Sequence, residues 1–205
     1  MGTSEADSGS KTAWRGRLRA GLRALSQELR AAASQLICAR LAERLALEDG
    51  KARTVLLFAA TPTEPDLFPL MFPHHDHMRW VFPKVVGAGR LGLLEVRNGR
   101  RDLAKGAFGL MEPVGGVCVE VDPAELDFAL VPGLGFGGAA DGPIPSGILR
   151  LGHGGGYYDR LLPKLPRSCQ VIGIGFEQQW FEKAPWPTEA HDQPLDAMLS
   201  ESGWH

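Results

Sequence analysis

The sequence predicts an α/β protein in which a mostly parallel sheet carries helices on both faces, a three-layer αβα arrangement. Residues 126–131 and 170–175 have the length of strands and are apolar almost throughout, as strands covered on both faces are. A glycine-rich loop and a helical segment, residues 157–165, lie between them, which makes a βαβ unit. The length of 205 residues favours one domain over two.

Two helices are predicted at the start of the domain. We expect residues 1–10 to be a disordered tail and residues 11–205 to be a single domain. Over residues 11–47 apolar side chains recur at helical spacing, and Ser26 is placed to cap the second helix. The recurring residues are Trp14, Leu18, Leu22, Leu25, Leu29, Leu36, Leu41 and Leu45.

Strands and short helices account for the rest of the domain. Pro62 and Pro65 turn the chain after an apolar run of strand length, and Pro166 ends the helix of the βαβ unit. The predicted elements are strands over residues 54–60, 79–86, 91–96, 126–131 and 170–175, and helices over residues 66–72 and 157–165.

Charge is distributed unevenly along a chain whose formal net charge is −2. Residues 11–53 carry ten Lys and Arg against four Asp and Glu, whereas residues 54–205 carry twelve against eighteen. A basic segment on an acidic body favours a small anionic ligand, because nucleic-acid-binding proteins are usually basic overall. We therefore expect no nucleic-acid partner, and an RNA-binding role for the Arg-rich helices is disfavoured.

Cysteine usage and hydropathy bear on the expected compartment. Cys38, Cys118 and Cys169 are far apart and odd in number, which fits free thiols in a reducing cytoplasm. The longest uninterrupted apolar run, residues 55–60, is too short to cross a bilayer, so no membrane association is expected. We expect a cytoplasmic protein; the Arg- and Ala-rich, acid-poor segment 11–44 leaves a mitochondrial presequence as the alternative.

Several general motifs are incomplete in this chain. The phosphate-binding GxxxxGK[ST] pattern is absent, and residues 152–156 do not fit GxGxxG because Tyr157 takes the last position. Residues 153–156 match the HGGG loop of esterases, but the GxSxG nucleophile motif is absent. Residues 74–77, three His and one Asp, favour a polar loop over a metal site, because adjacent residues do not easily converge on one ion.

The glycine-rich loop is the strongest indication of a ligand site. Ten of the 26 glycines lie between Gly133 and Gly156, and ligands of open α/β sheets bind beyond the carboxyl ends of the strands. Consecutive glycines let backbone N–H groups approach an anion, and the following helix offers its positive end. Arg150 adds a guanidinium, and Asp159 a carboxylate suited to Mg²⁺. From the residues alone, the loop is either a phosphate or nucleotide site or a tight turn before a capped helix.

Several motifs occur in order along nearly the whole chain after residue 10. The most specific is Pro132-Gly-x-Gly-Phe136 followed by Arg150-Leu-Gly-x-Gly-x-Gly-Tyr-Tyr-Asp159. The further segments are Lys11-Thr-Ala-Trp-Arg15, the helix start at Leu25-Ser26, Glu64, Phe82-Pro-Lys84, Gly106 to Pro113, Ile174-Gly-Phe-Glu-x-Gln179 and His191-Asp-x-Pro-Leu-Asp196. This ordered set resembles the pattern of the 5-formyltetrahydrofolate cyclo-ligase family.

The resemblance implies an enzyme that uses ATP and Mg²⁺ to convert 5-formyltetrahydrofolate into 5,10-methenyltetrahydrofolate, with release of ADP and phosphate. By the resemblance, Asp159 and Asp192 are magnesium ligands and Glu64 contacts the folate. Because Arg150 leads the glycine string, we expect its guanidinium to face the transferring phosphoryl group and to act in catalysis. The implied ATP contacts are Lys11, Arg15, Arg150, Leu151, Gly152, His153, Gly154, Gly155, Gly156, Tyr157 and Tyr158.

The residue types suit this chemistry. A formamide oxygen is a poor leaving group, so ring closure by N10 of the folate needs that oxygen phosphorylated first. Phosphoryl transfer requires positioning and charge neutralisation and no protein nucleophile. A carboxylate such as Glu64 accepts paired N–H donors of a pterin ring. Phe108 and Tyr157 are candidate flat walls of the folate pocket, with core packing an equal alternative for Phe108.

The chain departs from the family pattern around one loop. Gly137 stands where family members commonly have Asp, and Gly155 stands where some have Lys. Thirteen residues, 137–149, separate Phe136 from Arg150, and we expect them to form a flexible surface insertion. The alternative function is a non-catalytic relative that binds folate or nucleotide. We expect a monomer.

Overall fold

The fold is built on a six-stranded sheet. The computed structural model describes residues 9–45, 53–71, 78–99, 101–106, 110–139, 144 and 146–205. Its strands are β1 (Arg53–Leu56), β2 (Met78–Gly87), β3 (Arg90–Glu95), β4 (Leu103–Lys105), β5 (Met111–Pro113), β6 (Phe128–Pro132), β7 (Gly135–Gly138), β8 (Ile148–Leu151), β9 (Gln170–Ile174), β10 (Trp180–Phe181) and β11 (Ala197–Leu199). Its α-helices are α1 (Lys11–Ala24), α2 (Gln27–Leu45) and α3 (Tyr157–Leu161).

The large sheet confirms the predicted fold class. Its strand order is β11-β9-β6-β1-β2-β3, and among the strand pairs of the described residues in this sheet β2-β3 is antiparallel and the others are parallel. The central strand β6 pairs with β1 on one side and with β9 on the other. The carboxyl ends of these parallel strands therefore meet at one edge of the sheet, which is the edge where open α/β folds bind ligands.

Helices cover both faces of this sheet, as predicted. Successive strand residues point to opposite faces. Val55 thus belongs to a buried cluster with Ile37 and Leu41 of α2. The next residue, Leu56, belongs to a second cluster with Leu161 of α3 on the opposite face. Burial of these apolar side chains between helix and sheet is the main source of stability of the three layers.

A second, smaller sheet supports the N-terminal helix. Its strand order is β10-β7-β8, and β7 and β8 pair antiparallel. Leu18 and Leu22 of α1 pack in a cluster that includes Leu151 and Trp186. The ends of the 137–149 segment thus lie in strands, so the expectation of a flexible insertion is wrong at these ends; residues 140–143 and 145 lie outside the described residues.

Several predicted boundaries differ from the structure. The first strand ends at Leu56, four residues early, and the helix predicted over 66–72 is a 3₁₀ helix over Phe68–Met71. The helix predicted over 157–165 is α3 followed by a 3₁₀ turn, Leu162–Lys164. Ser26 caps α2 as predicted, because its Oγ accepts a hydrogen bond from Leu29 N at 3.2 Å.

Two predictions concern segments outside the described residues in whole or in part. Residues 1–8 of the predicted tail and residues 74–77 are not described. Ser10, which is described, caps α1 by accepting a hydrogen bond from Ala13 N at 3.1 Å. Within the described part of the chain, every helix is too short or too polar to cross a bilayer.

The ring of Phe136 fills space left by three glycines. Phe136 is fully buried in β7. A Cβ atom added to Gly173 would lie 2.5 Å from its ring, one added to Gly133 2.8 Å, and one added to Gly175 2.9 Å. Real Cβ contacts are longer than this, so three glycines from two segments, one after β6 and one at the end of β9, are required for the ring to pack.

We predict that Gly173→Ala lowers the free energy of unfolding by about 1–3 kcal/mol, because the new methyl group overpacks the core against Phe136. Urea denaturation followed by circular dichroism measures the change. The matched control is Gly21→Ala in the exposed face of α1, where an added Cβ meets nothing within 4 Å. That substitution is expected to stabilise the protein by about 0.5–1 kcal/mol. Equal effects at both positions would contradict the packing argument.

Candidate active site

A cavity of about 660 Å³ lies beside the carboxyl ends of β1 and β6. The chain that follows β1 contributes Phe58, Thr61 and Glu64 to its lining, and β6 contributes Pro132. The structure brings to this cavity all the site residues predicted from the sequence except Phe108, which lies outside the described residues. Those residues are Lys11, Arg15, Glu64, Arg150, Leu151, Gly152, His153, Gly154, Gly155, Gly156, Tyr157, Tyr158, Asp159 and Asp192.

The glycine loop, residues 152–156, forms one wall of the cavity. Gly154 has a φ of 105° and Gly156 a φ of 64°, a region of backbone conformation that side chains disfavour. Gly156 is also the residue before α3, so its left-handed conformation turns the chain into that helix. Glycine at these two positions is therefore required by the path of the backbone.

Three guanidinium groups hold the carbonyl oxygens of the glycine loop. Arg15 Nε donates to Gly152 O at 3.0 Å, and Arg19 Nη2 donates to His153 O at 2.9 Å. From the other side, Arg160 Nη2 donates to Gly155 O at 2.5 Å and Arg160 Nε to Gly89 O at 2.6 Å. Cations that bind these oxygens lower their repulsion of an anion in the cavity. The loop is thus clamped to α1 on one side and to the β2-β3 turn on the other.

Arg150 lies at the base of the glycine loop, and its side chain is only 5% exposed. It donates to Pro132 O at 3.1 Å and to Asp159 Oδ1 at 2.6 Å. Its guanidinium also lies 5.3 Å from the centre of the Tyr158 ring, a cation–π distance. One side chain therefore connects the end of β6 with the first turn of α3.

Lys11 joins the start of α1 to a distant loop. Its Nζ lies 2.8 Å from both carboxylate oxygens of Asp192 and 3.5 Å from Glu189 Oε2. Asp192, Glu189 and His191 offer ligand atoms within 4.8 Å of one another, which is the spacing of a group that can hold a cation. The two predicted magnesium ligands line the same cavity, but each is paired with a different cation: Asp192 with Lys11, and Asp159 with Arg150. Their shared ligation of one ion stays a prediction.

Glu64 is a nearly buried carboxylate, with a side chain 7% exposed. Its Oε2 accepts a hydrogen bond from Thr61 N at 2.8 Å, and its Oε1 lies 3.3 Å from His153 Nε2. Burial raises the pKa of the Tyr158 hydroxyl, and the negative charge of Glu64 raises it further. Tyr158 therefore stays protonated next to this carboxylate at neutral pH.

Sequence reasoning missed three residues of the site: Arg19, Arg160 and Glu189. Arg19 lies four residues after Arg15 on the same face of α1, a spacing that offers a second guanidinium to the same partner. Arg160 follows the glycine motif directly, but its contact with Gly89 depends on the tertiary fold. Glu189 precedes the His191-Asp192 motif without a spacing that would single it out.

The fold and the cavity define an α/β protein with a ligand site at the carboxyl ends of parallel strands. The profile of the 5-formyltetrahydrofolate cyclo-ligase family matches residues 7–201, and the chain belongs to this family. The resemblance found in the sequence is thereby confirmed.

Individual relatives agree with this assignment. The chain is 27% identical over 128 residues to a probable 5-formyltetrahydrofolate cyclo-ligase of Schizosaccharomyces pombe, and 32% identical over 80 residues to a 5-formyltetrahydrofolate cyclo-ligase of Mycoplasma pneumoniae. These matches span 58% and 39% of this chain, and 59% and 42% of the two relatives.

Solved structures give fuller coverage. The NMR structure of 5,10-methenyltetrahydrofolate synthetase from Aquifex aeolicus has a TM-score of 0.76 and 31% identity, with 95% of this chain and 91% of that chain covered. The 5,10-methenyltetrahydrofolate synthetase of Mycoplasma pneumoniae shares the fold, with a TM-score of 0.70 and 24% identity over 93% of this chain and 98% of that chain.

We predict that Arg160→Ala loosens the glycine loop, because it removes the hydrogen bonds to Gly155 O and Gly89 O. Hydrogen exchange followed by mass spectrometry is expected to show faster exchange in residues 152–156, with the sheet unchanged. Lys164→Ala, at an exposed residue just beyond α3, is the matched control and leaves the loop unchanged. Unaltered exchange in the Arg160 variant would contradict the clamp.

Proposed function

We propose that the protein catalyses the ATP- and Mg²⁺-dependent cyclisation of 5-formyltetrahydrofolate to 5,10-methenyltetrahydrofolate, with release of ADP and phosphate. Membership of the cyclo-ligase family supports this proposal. The observation that carries it is that one cavity joins a cationic wall, with Lys11, Arg15 and the glycine loop, to the buried carboxylate of Glu64. A triphosphate and a pterin thus each have a matching surface within reach of the other.

The reaction has two steps on the folate substrate. The formyl oxygen attacks the γ-phosphorus, the bond to the β-γ bridging oxygen breaks, and ADP leaves. N10 then attacks the formyl carbon and loses its proton, and the oxygen departs with phosphate as the ring closes. Both steps require aligned reactants and neutralised charge more than a protein nucleophile.

The cationic wall is the proposed site of the triphosphate. Lys11, Arg15 and residues 150–158 line it, and glycines in this wall would let backbone N–H groups approach phosphate oxygens. We assign Arg150 the catalytic role of stabilising charge on the transferring phosphoryl group. To do so its guanidinium shares its donors between the phosphoryl oxygens and its present partners, Asp159 and Pro132 O.

The carboxylates of the cavity suit a magnesium ion bound to the triphosphate. Asp159 and Asp192 supply the hard oxygen ligands that Mg²⁺ prefers, and Glu189 lies beside Asp192. Mg²⁺ in this place supplies charge that neutralises the phosphate oxygens. Lys11 compensates the negative charge of Asp192 in the structure, so its ammonium and the ion compete for the same carboxylate.

Glu64 is the proposed anchor of the folate. Its carboxylate is fixed by Thr61 N and faces the cavity that Tyr157 also lines. Paired N–H donors of the pterin ring find there a charged acceptor in a largely dry environment, where hydrogen bonds to a charged group are strong. Tyr157 is the proposed flat wall beside the ring, and the same role for Phe108 stays a prediction.

We also propose three properties that the sequence predicts for the whole chain. Residues 11–205 form a single domain, the protein is a monomer, and it acts in the cytoplasm, with the mitochondrion as the alternative compartment. The alternative function, a relative that binds folate or nucleotide without turnover, is decided by the assay below.

Purified protein is expected to form the methenyl product from 5-formyltetrahydrofolate only when ATP and Mg²⁺ are both present, with one ADP released per product. Absorbance of the product and a coupled measurement of ADP test this. Omission of ATP and omission of Mg²⁺ are the controls. Tight binding of both ligands without product would support the non-catalytic alternative and contradict the proposal.

We predict that Glu64→Gln weakens folate binding about ten-fold or more, because a neutral amide offers one acceptor and loses the charge assistance. Binding of ATP, measured by calorimetry in the absence of folate, is expected to stay nearly unchanged. Glu120→Gln removes the same charge from an exposed residue outside the cavity lining and serves as the control. Equal loss of both affinities in the Glu64 variant would indicate a structural role.

A further inference from the structure

The side chain of His153 connects the two ends of the cavity. It extends from the glycine loop to Glu64, with Nε2 3.3 Å from Oε1, although the two residues are 89 positions apart in the sequence. A carboxylate offers only lone pairs, so Nε2 is the donor and carries a hydrogen. The proposed triphosphate wall and the proposed folate anchor therefore share a direct hydrogen bond.

Glu64 can bind a ligand without releasing His153. An ionised carboxylate has about four acceptor positions on its two oxygens. Thr61 N occupies one on Oε2, and His153 Nε2 occupies one on Oε1. One acceptor position thus remains on each oxygen, which matches a ligand with two parallel N–H donors.

The backbone at His153 is held in turn by α1. Arg19 Nη2 donates to His153 O at 2.9 Å, while the imidazole itself is 45% exposed. The arginines thus hold the backbone of the loop, whereas the exposed imidazole has one long hydrogen bond, to Glu64, and moves more readily than the backbone does. Thr61 N already holds Oε2 of Glu64, and a pterin bound to both oxygens would fix Oε1 as well, so that His153 would meet a stationary acceptor.

We propose that His153 is a positioning residue that couples the two ligand sites, so that bound folate raises the affinity for ATP and bound ATP raises the affinity for folate. This inference rests on the proposed function. Folate held by Glu64 fixes the side chain of His153, and ATP then binds beside an imidazole whose ordering has already been accomplished. Thermodynamic linkage makes the two effects equal in size.

Calorimetric titration tests the coupling. A non-hydrolysable ATP analogue with Mg²⁺ is titrated into the full chain with and without saturating 5-formyltetrahydrofolate, so that no product forms. The ratio of the two dissociation constants is expected to be about five-fold or more in the wild type. It is expected to fall to about one in His153→Leu, and to stay close to the wild-type value in His153→Gln, which keeps an N–H donor of similar reach.

A second variant separates coupling from general loosening of the loop. Arg19→Met removes the hydrogen bond to His153 O without touching Glu64. It is expected to weaken binding of the analogue equally with and without folate, which keeps the ratio. A wild-type ratio of one, or a ratio unchanged in His153→Leu, would overturn the inference while both ligands still bind. Failure of the wild type to bind either ligand would instead overturn the proposed function.

Discussion

The buried guanidinium of Arg150 is the interaction on which the geometry of the site depends. It binds the last carbonyl of β6 and the carboxylate of Asp159 in the first turn of α3, and it lies against the ring of Tyr158. The glycine loop is the chain between Arg150 and Asp159, so its position follows from theirs. A buried cation without acceptors is strongly destabilising, and β6 and α3 are therefore held in the one arrangement that satisfies it.

In each described contact, the cations around the glycine loop bind an acceptor of the protein itself. Lys11 binds Asp192, while Arg15, Arg19 and Arg160 bind carbonyl oxygens of the loop. An anion that enters the cavity finds cations already aligned, which saves the reorganisation that flexible side chains would need. The free energy gained when an anion binds is the difference between its contacts with the cations and the contacts within the protein that it replaces. This gain is therefore smaller than the number of cations suggests.

The sequence predicts the layers and five strands of the large sheet, because β6 and β9 are apolar runs and α1 and α2 show helical periodicity, but it misses the short edge strand β11. It does not predict β7, because three of the four residues of that strand are glycines and none is β-branched, and it does not predict β8, a strand of four residues. The sequence predicts those residues of the candidate site that belong to a recognisable motif. Contacts of Arg160 with Gly89 and of His153 with Glu64 join distant segments, and local pattern contains no information about them.

The Gly137 position also bears on how this chain compares with its relatives. A Cβ atom at Gly137 would lie 2.8 Å from the backbone of Ala184, and Ala184 N donates to Gly138 O at 3.0 Å. The Asp that the resemblance to the family pattern leads us to expect there would require residues 181–184 to move. The glycine and the course of a segment about 45 positions away are therefore epistatic. A larger residue at Gly137 would therefore require an accompanying change in that segment, because the glycine is the residue that lets β7 and β10 lie side by side.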